Sequence, residues 1–79
     1  MDNPEQEHKK FLEQQLHWCK KQDRILKKIE MKLHEMKKAA QYVLEHEPTS
    51  LEIVQLNAQL NELKIEVHFL EKKLNSVIQ

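Results

Sequence analysis

Five histidines, His8, His17, His34, His46 and His68, and a single cysteine, Cys19, are the residues of this chain with the widest chemical repertoire. Metal ligands that share one helix face stand three or four positions apart. His17 and Cys19 are two apart, which turns them about 160° away from each other on a helix. With the chain folded back as a hairpin, His34 falls near Glu62, His68 near Lys28, and His46 at the turn. No three converge, so neither a metal nor a cofactor is expected. Lys20 and Lys21 beside Cys19 would favour a thiolate if the sulfur were exposed. Its place in an apolar line argues instead for a small buried hydrophobe, and that is the expectation. Hydroxyl nucleophiles are limited to Thr49, Ser50 and Ser76, with Tyr42 the lone phenol. Nothing sets an acid and a base in an apolar hollow, so no enzyme is expected.

The strongest electrostatic feature is a basic segment. Residues 20–38 carry eight cations against three anions, a net of +5 in a chain that is neutral overall. Lys20, Arg24, Lys27 and Lys28 fall on the outer face of a helix and form a basic stripe that can neutralise phosphates or attract an acidic protein. Arginine, the usual reader of base edges, occurs once, and no helix-turn-helix or zinc-finger pattern is present. A solvated face is the first expectation for such a charge run; an acidic protein partner is the next reading, and a nucleic-acid binder the alternative.

Composition narrows the classes further. The 79 residues include 13 Lys/Arg, 13 Asp/Glu, 39% hydrophobic residues and no glycine. Such a chain is too apolar and too balanced to be a disordered charged tail. No apolar run approaches the roughly 18 residues that cross a bilayer, so no membrane association is expected. The polar amino end is unlike a signal peptide, and one cysteine cannot close an internal disulfide, which together point to the cytoplasm.

The elements are helical. Asn3 can cap, Pro4 suits a first helical position, and Glu5 and Glu7 favour the positive end of the helix dipole. The segment Glu45-His46-Glu47-Pro48-Thr49-Ser50 contains the one turn, after which Thr49 and Glu52 stand at capping-box spacing. The expected domain is 1–79: helix one at about 4–46, a turn at about 46–50, and helix two at about 50–78. In helix two, Ile53, Leu56, Leu60, Leu63, Val67, Leu70, Leu74 and Val77 alternate steps of three and four, a heptad seam. Helix one carries a broader stripe through Leu12, Leu16, Cys19, Leu26, Ile29, Leu33, Met36, Ala40 and Val43, widened by Phe11, Trp18, Ile25 and Leu44.

A short turn makes these helices antiparallel neighbours. The expected layers are Val43 with Ile53, Ala40 with Leu56, Met36 with Leu60, and Leu33 with Leu63. They continue as Ile29 with Val67, Leu26 with Leu70, Gln22 with Leu74, and Cys19 with Val77. The fold class is thus all-α, a coiled-coil-like antiparallel two-helix hairpin.

One hairpin leaves apolar surface over. Helix one outruns helix two by about 14 residues, or about 21 Å, and this overhang holds Phe11, Leu12 and Leu16, with Trp18 at its base. Helix two has a second line, Leu51, Val54, Ala58, Ile65 and Phe69, nearly opposite its seam. The expected answer is a homodimer forming a four-helix bundle through Phe11, Leu12, Leu16, Trp18, Val54, Ala58, Ile65 and Phe69.

Ile29-Glu30 and Met36 before the turn, then Thr49-Ser50 and the helix after it, resemble the small sporulation phosphatases that act on response regulators. Their second-helix signature is Ser-Gln-Glu-Leu-Asp. The corresponding stretch here, Asn57-Ala58-Gln59-Leu60-Asn61, keeps only the leucine and places Asn61 where the aspartate is required. The resemblance covers about half the chain and implies a hairpin that binds a regulator without phosphatase activity. From the residues themselves, the expected function is a small, self-associating, non-enzymatic protein–protein interaction module.

Overall fold

The computed structural model describes residues 3–76, which form two helices, α1 (Pro4–His46) and α2 (Ser50–Ser76), and no strand. Val77 and the final residues of the expected second helix lie outside the described residues.

Local chemistry fixes the ends. Asn3 is extended, at φ −90° and ψ 116°, and its Oδ1 accepts the Glu5 amide at 3.0 Å. Pro4 follows at the first helical position, where a missing N–H costs nothing. Helix α1 ends at Glu47, which adopts the left-handed conformation at φ 42° and ψ 67°. Glycine usually fills that role, and a side chain there costs about 1 kcal/mol. A chain without glycine accepts the strain at Glu47, and Pro48 then prevents any continuation of α1.

Helix α2 begins with the capping box. Thr49 Oγ1 accepts the Glu52 amide at 3.2 Å, while Glu52 Oε1 accepts from the Thr49 amide at 3.4 Å and the Thr49 hydroxyl at 3.2 Å. The other oxygen of the same carboxylate reaches across the turn, where Tyr42 Oη donates to Glu52 Oε2 at 2.7 Å. Tyr42 also stacks on His46, with ring centroids 4.4 Å apart. Glu52 therefore caps one helix and clasps the other. Its carboxyl is held below its ordinary value first by the Tyr42 hydroxyl and then by Thr49. The same contact raises the Tyr42 phenol.

Among the described residues, three polar contacts between the helices set direction and register. Tyr42 meets Glu52 beside the turn, Lys32 Nζ lies 2.9 Å from Glu66 Oε2 midway, and Gln22 Nε2 donates to the Leu74 carbonyl at 3.4 Å near the far end. The helices thus lie side by side and run in opposite directions. Gln22 stands against Leu74 as the expected layers place it. Residues of α2 that turn toward α1 follow the expected line, with Leu63 and Val67 buried and Leu56, Leu60, Leu70 and Leu74 half-buried. The layer expected next to the turn, Val43 with Ile53, is exposed on both sides, and the Tyr42–Glu52 bond joins the helices there instead.

Helix α1 departs from expectation by a rotation about its own axis. Its shielded residues are Trp18, Gln22, Ile25, Ile29, Lys32, Met36 and Ala39. Ile25, Lys32 and Ala39 take the places expected for Leu26, Leu33 and Ala40, which are exposed. Cys19, expected in the core, is exposed too. The physical reason is the width of the stripe: neighbouring positions such as 25 and 26 are both apolar, and α2 can cover only one of each pair. Two gains accompany the observed choice. Small Ala39 lets the backbones approach near the turn, and Lys32 meets Glu66, which raises the Lys32 pKa through that contact.

The resulting molecule is a rod, 71 × 19 × 11 Å, with a radius of gyration of 20.1 Å. A compact chain of this length would have a radius near about 12 Å. Among the described residues the buried apolar side chains are Ala39, Leu63 and Val67, and Gln22 is the buried polar one.

Leu63→Ala is expected to lower stability by about 2–3 kcal/mol, at the low end for leucine because a thin hairpin lets neighbours close the gap; urea unfolding followed by circular dichroism reads this. The clasp supplies a pH dependence. A carboxyl whose folded pKa lies below its ordinary 4.5 adds stability that is present above that value and fades as pH falls through the lowered one. Thermal midpoints should therefore drop below about pH 4.5, and Glu52→Gln should flatten that part of the profile. An unchanged profile in the variant contradicts the clasp.

Candidate interaction surfaces

Little of this surface is concave, and its candidate sites are faces and one groove. The groove runs between the helices on the side of Lys28 and Glu35, with a volume of about 640 Å³. Met31 from α1 and Ile65, Phe69 and Leu70 from α2 make its apolar lining, and the Lys32–Glu66 pair crosses it. Lys73 places its ammonium 4.9 Å from the Phe69 ring centroid, so one face of that ring is already engaged by a cation.

The overhang lies where α1 continues past the end of α2. Phe11, Leu12 and Leu16 are each more than half exposed there, at 54%, 52% and 56%. Trp18 is half-buried at the base. On α2, Val54, Ala58, Ile65 and Phe69 are all exposed, so the second apolar line faces outward. The structure places the eight expected interface residues on two separate regions. The overhang group sits at the open end of the hairpin, and the α2 group is spread along its outer side.

A third apolar surface emerges from the rotation of α1. Leu12, Cys19, Leu26, Leu33 and Ala40 stand seven residues apart on one line, and every one is exposed. Leu16 and Leu44 lie beside this line, Leu44 at 84% exposure. All of this line except Leu12 was expected in the hairpin seam. The seven-residue spacing was the available signal that they form a surface of their own.

Charged groups frame these faces. Lys20, Arg24, Lys27 and Lys28 are exposed, and among the described residues none has a carboxylate within ion-pairing distance. Lys20, Arg24 and Lys27 lie along the outward edge of α1 and Lys28 at the rim of the groove, a positive stripe without paired carboxylates among the described residues. Neither histidines nor Cys19 add a coordination site: among the described residues no three His, Cys, Asp or Glu side chains gather closely enough to hold a metal ion. No helix of the described residues is long and apolar enough to cross a membrane. Asn61 is exposed on α2 beside Lys64, Ile65 and His68. No family model, curated protein or solved structure matches the chain.

Because Lys27 and Lys28 have no ion-pair partner among the described residues, Lys27→Glu combined with Lys28→Glu should leave stability within about 0.5 kcal/mol of wild type. Urea titration checks this, and a larger loss would mean that the stripe supports the fold.

Proposed function

We propose that this chain is a non-enzymatic protein–protein interaction module that self-associates as a homodimer, its two hairpins forming a four-helix bundle. The observation that supports this most directly is the imbalance of apolar surface. Three apolar side chains are buried among the described residues, while fourteen large hydrophobic ones are exposed. The accessible surface is 7101 Å², whereas a compact monomer of 9.6 kDa exposes about 5,100 Å². That excess, about 2,000 Å², is larger than the roughly 800 Å² each partner contributes to a standard interface.

Aromatic anchors give such an interface most of its affinity, and Phe11 and Trp18 of the overhang are the candidates here. The unpaired cations at Lys20, Arg24, Lys27 and Lys28 suit steering toward an acidic protein surface, which raises encounter rates more than it raises affinity. A cytoplasmic setting agrees with a lone, exposed thiol at Cys19.

Light scattering at micromolar concentration should give twice 9.6 kDa. Trp18→Ala should weaken association by about tenfold or more, the scale of a buried aromatic anchor, with helix content nearly intact. A mass of 9.6 kDa at those concentrations defeats the proposal.

A further inference from the structure

Resting on self-association, we propose how the second copy sits. Two chains pack α1 against α1 in opposite directions along the line Leu12, Cys19, Leu26, Leu33 and Ala40, about a twofold axis that passes between Gln22 and Asp23. Leu12 then faces Leu33 of the second copy, Cys19 faces its Leu26, and each contact occurs twice.

Symmetry selects this line. A twofold axis perpendicular to α1 uses the same strip of the helix on both sides of the axis. The strip must therefore be apolar both in the overhang and in the part of α1 paired with α2. The line through residue 12 satisfies this, with all its members exposed. The opposite edge, Gln14, Lys21, Lys28, Glu35 and Tyr42, is polar. Strict seven-residue spacing also suits two helices winding around each other with a left-handed twist.

Length and charge then select the register. With Gln22 level with Leu74, the last described residue of α2, Ser76, lies near residue 20 of α1, so residues 4–19 extend past the described part of α2. Placing the axis between residues 22 and 23 sets that overhang beside residues 26–41 of the second copy, within its two-helix body. Overhang residues 4–19 carry three glutamates and two lysines, a net of −1, and residues 26–41 carry five lysines and two glutamates, a net of +3. A register one heptad further toward the turn faces the basic segments against each other. One heptad the other way leaves Leu33 against Glu5.

A second observation lies at the axis itself. Gln22 is 7% exposed, and its Oε1 has no hydrogen-bond partner among the described residues, while its Nε2 donates to Leu74. Across the axis stands the same residue of the second copy, whose amide has a further N–H to give. A buried acceptor without a donor is costly, and reciprocal pairing of the two glutamines relieves it twice. Asp23, also near the axis, falls within reach of Lys20 of the second copy. The dimer so built is a staggered four-helix bundle: all four helices meet around the axis, and three lie side by side beyond it in each direction.

Cysteine cross-linking tests the register. Leu26→Cys, with native Cys19 retained, should become a covalent dimer almost completely under oxidised glutathione on a non-reducing gel. Wild type, and Leu26→Cys combined with Cys19→Ser, should remain uncross-linked, because like positions are then about 10 Å apart along the helix. As an independent pair, Leu12→Cys with Leu33→Cys in a Cys19→Ser background should cross-link equally well. A covalent dimer in wild type, joined through Cys19 alone, overturns the register, as does one in Leu26→Cys with Cys19→Ser, joined through the introduced thiol alone. So does the absence of any cross-link in a protein that light scattering still finds dimeric. A protein that is monomeric by light scattering fails the earlier proposal instead.

Discussion

Two parallel cylinders can hide only one strip of each from water, and in this molecule that constraint governs everything else. The strip on α2 is narrow, so its choice of inward residues is settled by periodicity. Helix α1 carries a strip roughly twice as broad. Whatever side of it turns toward α2, an apolar remainder stays outside. The hairpin selects Ile25, Lys32 and Ala39, and Leu26, Leu33 and Ala40 are left on the surface as a consequence. The exposed seven-residue line is the unavoidable counterpart of the buried seam.

The turn shows how a chain without glycine can still reverse direction. Glu47 takes the left-handed conformation at some cost in strain, and Pro48 stops the preceding helix. Compensation comes from Glu52, one carboxylate serving the Thr49 cap with one oxygen and the Tyr42 hydroxyl with the other. A side chain that joins the helix start to the neighbouring helix fixes both the reversal and the register near it. The middle is held by Lys32–Glu66 and the far end by Gln22.

Much of this architecture was legible in the residues alone. Asn3-Pro4 announces the start of α1, and Thr49 with Glu52 announces α2, because capping depends on side chains a few positions away. The step pattern from Leu56 to Leu74 identifies the inward line of α2, and the pairing of Gln22 with Leu74 follows from the short turn. What could not be read was the rotation of α1. Positions 25 and 26, or 39 and 40, are equally apolar, and the choice between them depends on backbone approach and on Lys32 meeting Glu66 across the interface. Neither is a local property of sequence. Cys19 was misplaced by the same ambiguity, since it shares its edge of the helix with Leu26. Tyr42 bonding to Glu52 was also hidden, because nothing in the spacing of those residues distinguishes a clasp from two solvated side chains.

The elongated outline, 71 Å along one axis and 11 Å along another, has a hydrodynamic consequence. A rod experiences more friction than a sphere of equal mass and tumbles slowly about its short axes. Its elution from a sizing column therefore mimics that of a heavier globular protein, and its apparent size overstates its mass. Fluorescence from Trp18, close to the open end of the hairpin, would lose polarisation through end-over-end motion far more slowly than through spin about the long axis. Directional diffusion of this kind turns a single tryptophan into a reporter of the molecule's length.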